Sequence, residues 1–338
     1  MNHTIMQRYS LRRYLGAGAS GSTWEAEDAN KKKRVAIKMM SPRLRGPDLW
    51  PIATSHEASV LERFKDEGEQ IIAFYAFYEE AKDRTAYIVQ ELAEHGTLAD
   101  YMSSSPGAPD EEATRFIAAQ LCLILGVLKR KNVVHMDLKA GNLAVVSKVS
   151  AGPVIKAIDF GLAKIIGDPS ETFMDPVGTP GHMAPEVSMS EIMSMPYGPK
   201  VDVFSAATVI YERLTGNRLI PERFSEGGLM YSYTSLIEEK LRALRDQKGV
   251  SPAAIDFLVH TLDPDPVSRF SAEETLEHPW VRDLVLTIYP KAKAVQDTVK
   301  QFKFTCTGTG TGRSQTTGSQ SESYKRSTTH LESRPECA

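Results

Sequence analysis

The pattern of hydrophobic positions divides the chain into a strand-rich beginning and a helix-rich remainder. Short apolar runs, interrupted by glycine or rich in β-branched residues, occupy residues 9–40 and 71–92, and such runs predict strands. Between them, apolar residues recur at every third or fourth position over 52–64, with charges on the other face. That spacing predicts one helix, so the first ninety residues are expected to form a small sheet with a single helix.

From Leu98 onward the apolar residues recur at helical spacing. The pattern predicts helices over 111–129, 201–214, 252–262 and 272–276. A small lobe made mainly of strands would therefore precede a larger, mainly α-helical lobe. The sequence predicts an α+β fold with two lobes, and no internal repeat is visible.

The composition and charge of the 338 residues give no argument for a nucleic-acid or anionic-membrane partner. Hydrophobic residues make up 41% and charged residues 25%, as is usual for globular proteins. The net charge of −3 favours no nucleic-acid partner. The basic run Lys31-Lys32-Lys33-Arg34 borders an apolar strand, and we interpret it as a solvated hairpin turn.

Cysteine usage and apolar segments indicate the compartment. The three cysteines, Cys122, Cys306 and Cys337, are too few and too scattered for a disulfide framework or a metal site. No stretch has the apolar length of a membrane span, and the N-terminus lacks the apolar core of a signal peptide. We expect an intracellular, cytoplasmic protein.

Six short motifs carry the candidate chemistry. In chain order they are Gly16-Ala17-Gly18-Ala19-Ser20-Gly21, Val35-Ala36-Ile37-Lys38, Glu57, His135-Met136-Asp137-Leu138-Lys139-Ala140-Gly141-Asn142, Asp159-Phe160-Gly161 and Ala184-Pro185-Glu186. The glycine motif lies between two predicted strands, which excludes the dinucleotide fingerprint because that motif leads from a strand into a helix. A glycine turn without side chains can instead bring its backbone amides close to phosphates.

In this order and at this spacing, the motifs resemble those of eukaryotic protein kinases of the Ser/Thr type. The resemblance implies a bilobal kinase domain over 9–283. Within it, 9–91 would form the N-lobe with an antiparallel sheet, 91–94 the hinge, and 95–283 the C-lobe. A short leader, 1–8, would precede the domain.

The resemblance assigns a role to each polar residue of the motifs. Asp137 would take or orient the proton of a substrate hydroxyl, and Lys139 would contact the γ-phosphate. Asn142 and Asp159 would hold Mg²⁺, which prefers oxygen ligands. Lys38 would reach the α- and β-phosphates of ATP.

Two glutamates could pair with Lys38. The spacing favours Glu57, because Leu61 lies one helical turn later on the apolar face, whereas Glu62 lacks that register. An ammonium group held in a cleft without a partner would be costly, so its pairing carboxylate both orients it and partly neutralises it.

The resemblance also implies a nucleotide pocket between the lobes. Its residues would be Leu15, Gly16, Gly18, Gly21, Thr23, Ala36, Lys38, Gln90, Glu91, Ala93 and Ala144. Thr23 stands where the family usually has a valine above the base, and Ala144 stands where it usually has a leucine below. Thr23 adds a hydroxyl group, and the methylenes lost at Ala144 could weaken nucleotide packing by roughly 1–3 kcal/mol.

Other matches to the family imply structural roles. His135 would pack under Phe160 without ionising, and Asp202 would anchor the backbone of the catalytic loop. Glu186 and Arg269 would form a buried pair.

Met136 departs from the family, which commonly has an arginine before the catalytic aspartate. That arginine grips a phosphorylated activation loop through charge-assisted hydrogen bonds. Without it, we expect activity that does not depend on phosphorylation of Ser170 or Thr172. Lys139 and the segment Gly178-Thr179-Pro180 are typical of kinases that act on Ser and Thr, so the expected partner is a protein substrate with such an acceptor.

The end of the chain changes in composition. Residues 284–304 predict a helical extension, in which Val295, Val299 and Phe302 share one face of the basic segment 291–304. A basic amphipathic helix could bind a regulatory partner such as calmodulin or inhibit the enzyme, and the alternative is a helix that packs on the C-lobe. Residues 305–338 are poor in apolar side chains and predict disorder. Calcium/calmodulin-dependent kinases are the kinase group that this arrangement suggests.

Two other functions are compatible with the fold. A pseudokinase could act as a scaffold that binds nucleotide weakly or not at all, and Thr23, Ala144 and Met136 keep that alternative open. A small-molecule kinase is less favoured because residues 178–186 resemble a peptide-docking segment. The sequence does not determine the oligomeric state.

Overall fold

The computed structural model describes nine segments of the chain: 4–18, 21–40, 50–80, 84–104, 110–168, 171–190, 196–221, 230–247 and 249–288. Residues 284–288 of the helical extension predicted over 284–304 lie in the helix Arg282–Ile288. The rest of that extension and the disorder predicted over 305–338 lie outside the described residues. Within the described segments, no helix is long and apolar enough to cross a bilayer.

The N-terminal lobe is built on one antiparallel sheet of five strands in the order β1-β2-β3-β5-β4. The strands are β1 Tyr9–Gly18, β2 Gly21–Asp28, β3 Lys33–Met40, β4 Phe74–Glu80 and β5 Thr85–Glu91. Tight connections join β1 to β2 and β2 to β3, and the basic run Lys31–Arg34 spans the second turn and the start of β3. The α+β fold with two lobes predicted from the sequence is confirmed.

Side-chain alternation in β3 gives the sheet two different faces. Val35 and Ile37 pack into an outer apolar cluster with Ile5 of the first helix, whereas Lys38 and Met40 belong to the opposite face because successive side chains of a strand alternate. Helix α1 (Thr4–Arg8) covers the outer cluster. The alternation therefore directs Lys38 towards the inner face of the lobe.

Helix α2 (Trp50–Glu62) covers that inner face. Glu57 and Leu61 are four residues apart and share one face of the helix, and Phe64 lies one turn further, just past its end. All three are buried. The helix thus presents one carboxylate towards β3 within an apolar surface.

The second lobe is mainly helical. Its helices are α3 Leu98–Ser104, α4 Glu111–Arg130, α5 Pro185–Ser188, α6 Val201–Thr215, α7 Met230–Arg245, α8 Pro252–Thr261, α9 Ala272–Glu277 and α10 Arg282–Ile288. The central helix α4 begins at Asp110, whose carboxylate accepts hydrogen bonds from the backbone N–H groups of Glu112 and Ala113. Almost every residue between Thr114 and Leu128 is buried, so α4 forms the axis of the lobe.

Strand pairs in the helical lobe flank the motif residues. The pair β7 (Leu143–Val149) and β8 (Gly152–Ala157) follows the Asp137 segment, and β6 (Val133–Val134) pairs with β9 (Lys164–Ile165). These pairs bring the Asp137 and Asp159 segments alongside each other. The sequence analysis predicted none of these strands, of which β6 and β9 have only two residues each.

The strand expected to begin near Ile71 begins instead at Phe74. The preceding backbone is engaged elsewhere: Ile71 forms a bridge with Ala157, and the N–H of Ile72 donates to the carbonyl oxygen of Ala157 over 3.1 Å. Residues 71 and 72 therefore join the two lobes and do not extend the sheet.

A buried ion pair stabilises the helical lobe. The guanidinium of Arg269 donates to both carboxylate oxygens of Glu186, over 2.6 and 2.9 Å, and both side chains are almost completely inaccessible to solvent. Removing one partner of such a pair typically costs about 3–5 kcal/mol, because it leaves an uncompensated buried charge. The pair therefore holds the segment after the activation loop against the rest of the lobe.

Candidate active site between the lobes

The ammonium group of Lys38 lies between two carboxylates from different parts of the chain. Its Nζ atom is 2.7 Å from Oε1 of Glu57 on α2 and 2.7 Å from Oδ1 of Asp159. The other glutamate considered, Glu62, pairs with Lys65 at the surface. The contact therefore joins β3, α2 and the Asp-Phe-Gly motif.

The electrostatics of this cluster favour charged groups. Burial raises the pKa of Asp159, but the charge and the hydrogen bond of Lys38 outweigh it and hold the pKa at about 2. Burial lowers the pKa of Lys38, and the carboxylates of Glu57 and Asp159 outweigh it, so the net direction is upwards. Lys38 is therefore cationic and Asp159 anionic near neutral pH.

The backbone holds Asp159 in an uncommon conformation. Its φ angle is +61°, in the left-handed region that residues other than glycine seldom adopt. The neighbouring Phe160 is fully buried, with its ring centroid 4.7 Å from that of His135 and 5.2 Å from that of Phe64. Packing of Phe160 between the two lobes thus stabilises the strained residue beside it.

His135 contacts the backbone through both of its ring nitrogens. Its Nε2 atom is 3.0 Å from the carbonyl oxygen of Ile158, which accepts, so Nε2 carries a proton. Its Nδ1 atom accepts a hydrogen bond from the N–H of Asp137 over 3.3 Å and carries none. The ring therefore packs under Phe160 with both of its nitrogens hydrogen-bonded.

Asp202 on α6 anchors the loop that carries Asp137. Its carboxylate accepts hydrogen bonds from the backbone N–H groups of His135, over 2.6 Å, and Met136, over 3.0 Å. Met136 has a φ angle of +70°, a conformation that persists where its surroundings hold it. Gly178 packs against the carbonyl oxygen of Met136, where a Cβ atom would lie only 2.9 Å away.

Asp137 stands in the middle of a second polar cluster. Its Oδ1 atom accepts from the hydroxyl of Thr179 over 2.6 Å, and its Oδ2 atom accepts from the amide of Asn142 over 2.8 Å. Lys139 places its Nζ atom 2.9 Å from the same carboxylate and 2.5 Å from the Thr179 hydroxyl. The structure therefore brings Asp137, Lys139 and Asn142 together.

The two clusters are joined through Asn142. Its carbonyl oxygen accepts a hydrogen bond from the N–H of Ile158 over 3.0 Å, which places Asn142 beside the Asp159 segment. Because its side-chain NH₂ group donates to Asp137, its amide oxygen is the atom suited to a cation. A carboxylate and an amide oxygen are ligands that fit Mg²⁺ when phosphate oxygens and water complete its coordination.

No closed metal site made only of side chains is found within the described segments, since no group of three or more His, Cys, Asp or Glu residues converges there. An ion at Asn142 and Asp159 would thus need ligands from a bound molecule. Such a donor set is expected where Mg²⁺ enters together with a nucleotide.

The glycine-rich turn has open space at two of its glycines. A Cβ atom built on Gly16 or Gly18 would meet nothing within 4 Å. Gly21 is different, because its φ angle is +150° and a Cβ atom would lie 2.2 Å from the carbonyl oxygen of Met39. Gly21 is therefore required for packing against β3, whereas Gly16 and Gly18 leave room above the cleft.

The strand register aligns the other residues of the expected nucleotide pocket. Gly16 lies opposite Thr23, and Thr23 lies opposite Lys38. Ala36 lies opposite Gln90 in the next strand pair. Leu15 is partly exposed beside the glycine turn.

On the other side of the cleft, Ala144 is fully buried in β7 and bridges to Thr97. Both carboxylate oxygens of Glu91 accept from Nζ of Lys156, and its backbone N–H donates to the carbonyl oxygen of Ala73. The contact of a base with the backbone of Glu91 and Ala93 stays a prediction. The weaker nucleotide packing expected from Thr23 and Ala144 stays a prediction.

Three polar residues near the clusters were missed in the sequence analysis. Thr179 was recognised only as part of a motif, and its hydroxyl contacts Asp137. His56 contacts the backbone beyond Phe160, and Glu212 lies 3.9 Å from His182. Neither of these two has a motif or a periodic pattern that would have revealed it.

His182 and Glu212 are both shifted away from their charged forms. Burial lowers the pKa of His182 to about 4, aided by the positive charges of Arg218 and Lys139. Burial raises the pKa of Glu212 to about 7. Both side chains are therefore largely uncharged between about pH 4 and about pH 7.

Comparison with known proteins gives a family for this arrangement. The family model described as "Protein kinase domain" matches residues 9–281. Calcium-dependent protein kinase 8 of Oryza sativa subsp. japonica is 33% identical over 303 residues, which cover 87% of this chain and 52% of that protein. Calcium-dependent protein kinase 13 of Arabidopsis thaliana is 29% identical over 304 residues, covering 88% of this chain and 54% of that protein. The chain thus spans about half the length of these relatives.

Replacing Lys38 with methionine tests the electrostatics of the site. Lys38→Met removes the ammonium that lowers the Asp159 pKa but leaves the burial that raises it. We expect the Asp159 pKa to rise from about 2 to above the ordinary value of about 3.9. The stabilisation linked to the depressed pKa is present above about pH 4 and is lost as the pH falls towards 2.

The Asp159 pKa can be measured from the ¹³C shifts of aspartate carboxyl carbons during a pH titration, with Asp159→Asn used to assign the resonance. Lys164→Met is the matched control, because Lys164 pairs with the exposed Asp175, and it should leave the Asp159 pKa unchanged. An unchanged pKa in Lys38→Met would contradict the assigned cause.

Proposed function

Because this chain belongs to the protein kinase family, we propose that it is a Ser/Thr protein kinase, which transfers the γ-phosphoryl group of MgATP to serine or threonine hydroxyls of protein substrates. One observation carries the proposal: Lys38 joins Glu57 to Asp159, and Asn142 links Asp159 to Asp137. Phosphoryl transfer depends on positioning and charge stabilisation more than on covalent chemistry by the protein. A connected set of polar groups in one cleft suits that task.

In this proposal, Asp137 accepts the proton of the substrate hydroxyl as its oxygen approaches the γ-phosphorus. Two neighbours keep the carboxylate in place, since Thr179 holds one oxygen and Asn142 the other. Lys139, 2.9 Å from Asp137, supplies a positive charge for the phosphoryl group in transfer. Positioned proton acceptors typically contribute about 10²–10⁴-fold to rate.

Lys38, Asn142 and Asp159 would hold the nucleotide. Lys38 would contact the α- and β-phosphates while Glu57 keeps its side chain extended. Asn142 and Asp159 would provide the protein ligands of Mg²⁺. When bound, Mg²⁺ neutralises charge on the phosphate oxygens.

The hydroxyl specificity is supported by the surroundings of Asp137. Lys139 and Thr179, the residues by which the sequence resembles Ser/Thr kinases, contact both each other and Asp137. The segment that carries Thr179 lies against the loop of Met136 through Gly178. A peptide docked along it would present its hydroxyl to Asp137.

A scaffold without activity is the weaker alternative. Pseudokinases lack one or more of the groups named above, whereas this chain has all of them, in two clusters that meet at Asn142 and Ile158. The relatives are likewise named as kinases. The comparisons offer nothing that favours a scaffold.

The activation segment contains a fixed negative charge near β9. The carboxylate of Asp175 lies 2.6 Å from Nζ of Lys164, and this hydrogen bond lowers the Asp175 pKa. The ring centroid of Phe173 lies 4.7 Å from the same Nζ atom. The backbone of Phe173 forms two hydrogen bonds with that of Tyr197. Asp175 thus supplies at this point the kind of charge that a phosphate would add, which supports activity without phosphorylation.

Regulation and compartment remain predictions. The relatives carry "calcium-dependent" in their names. We propose that residues 291–304 of this chain contact a regulatory partner. The expectation of an intracellular, cytoplasmic protein likewise stays a prediction.

Transfer of radiolabel from [γ-³²P]MgATP to a generic protein acceptor tests the proposed activity. We expect the unmodified chain to label the acceptor on serine and threonine. Asp159→Asn and Asp137→Asn should each lower kcat by about 10²–10⁴-fold. Asp283→Asn, a change at an exposed residue of α10, is the matched control and should be fully active. Nucleotide-dependent stabilisation without any transfer by the unmodified chain would favour the scaffold.

The double variant Ser170→Ala/Thr172→Ala tests independence from phosphorylation. Ser170 lies outside the described residues, and Thr172 is exposed. We expect the variant to keep kcat within about twofold, because no arginine precedes Asp137 to bind a phosphate. Phosphatase treatment of the unmodified chain serves as the control and should also leave activity intact. Loss of activity in either case would show that the Asp175–Lys164 contact is insufficient.

A further inference from the structure

His56 makes a direct contact between helix α2 and the segment after the Asp-Phe-Gly motif. Its Nε2 atom lies 2.7 Å from the carbonyl oxygen of Ala163. A carbonyl oxygen can only accept, so Nε2 donates. The two residues are 107 positions apart in sequence, and the contact therefore reflects the tertiary arrangement of α2 and this segment.

The residue next to His56 is Glu57, the partner of Lys38. Two consecutive side chains of α2 thus bind two different elements, Glu57 the β3 lysine and His56 the backbone at Ala163. Because α2 is a continuous helix over these residues, a rotation or outward shift of the helix would break both contacts together. Keeping one contact favours the other.

Ala163 connects the His56 contact to the segments that carry Asp159 and Asp137. Its N–H donates to the carbonyl oxygen of Phe160 over 3.1 Å, which closes the turn after Asp159. The next residues, Lys164 and Ile165, pair with Val133 and Val134 at the start of the catalytic loop. The His56 contact thus ties α2 to a turn fixed to both Asp159 and the Asp137 segment.

Phe64, just past the end of α2, also packs against Phe160 of the motif, but this apolar contact is less directional than a hydrogen bond. Met136, which stands where an arginine is common, has an apolar side chain that cannot donate. His56 therefore connects α2 to the segment after Asp159 through a hydrogen bond that does not depend on a phosphate group.

We propose that His56 is a positioning residue that locks helix α2 against the segment after Asp159 and so keeps Glu57 on Lys38. This role rests on the proposed kinase function, although the contact itself does not. An imidazole donates from Nε2 in its cationic form and in one neutral tautomer. A glutamine at the same position has a donating amide at the end of a side chain of similar reach, whereas alanine has no donor.

The test compares His56→Ala, His56→Gln and the matched control Ser59→Ala, an exposed residue of the same helix. We expect His56→Ala to lower kcat by about tenfold, the order of one lost hydrogen bond, with the KM for the protein acceptor little changed. His56→Gln should recover most of that loss, and Ser59→Ala should match the unmodified chain. In a Glu57→Gln background, His56→Ala should add less than twofold, because both residues act through the same helix position.

Hydrogen exchange separates this proposal from the proposed activity. In His56→Ala, amides of residues 55–62 and 159–165 should exchange faster, whereas Ser59→Ala should not change them. Absence of transfer by the unmodified chain would contradict the kinase function, yet exchange would still report on the contact. Unchanged kcat and exchange in His56→Ala, or no recovery in His56→Gln, would overturn the positioning role.

Discussion

The structure of the cleft depends on one buried ammonium group held between two carboxylates. Lys38 has Glu57 on one side and Asp159 on the other, each at 2.7 Å. Burying this cation without both partners would be costly, since an unpaired charge in a protein interior loses its hydration without compensation. The requirement to neutralise Lys38 therefore brings together β3, α2 and the Asp-Phe-Gly segment, which are far apart in sequence.

Hydrogen bonds that involve the backbone connect this ion pair to the remaining polar groups of the site. Asn142 pairs with Ile158 next to Asp159 and donates to Asp137. Asp202 holds the N–H groups before Asp137, which keeps Met136 in a left-handed conformation. Each strained residue, Met136 and Asp159, lies beside a buried group that restrains it. These contacts hold the polar groups of the site in place, as charge stabilisation in phosphoryl transfer requires.

Much of the fold could be predicted from the sequence because its signals are local. Alternation in β3 and helical spacing in α2 and α4 reveal which side chains are buried, and motif spacing indicates Lys38, Asp137 and Asp159. The contacts of His56 with Ala163 and of Lys164 with Asp175 could not be predicted in this way. They join side chains with backbone or surface groups that have no periodic pattern, and their partners become neighbours only when the chain folds. Helix α7 was missed too, although Tyr233, Ile237, Leu241 and Leu244 are buried at helical spacing along it.

The most direct test of the account is whether Mg²⁺ and a nucleotide bind as one unit at Lys38, Asn142 and Asp159. Isothermal titration calorimetry with a non-hydrolysable ATP analogue, with and without Mg²⁺, measures this coupling. The account predicts that Mg²⁺ strengthens binding to the unmodified chain by at least about tenfold, or about 1.4 kcal/mol, and that Asp159→Asn abolishes this gain. Equal affinity with and without Mg²⁺ in the unmodified chain would contradict it.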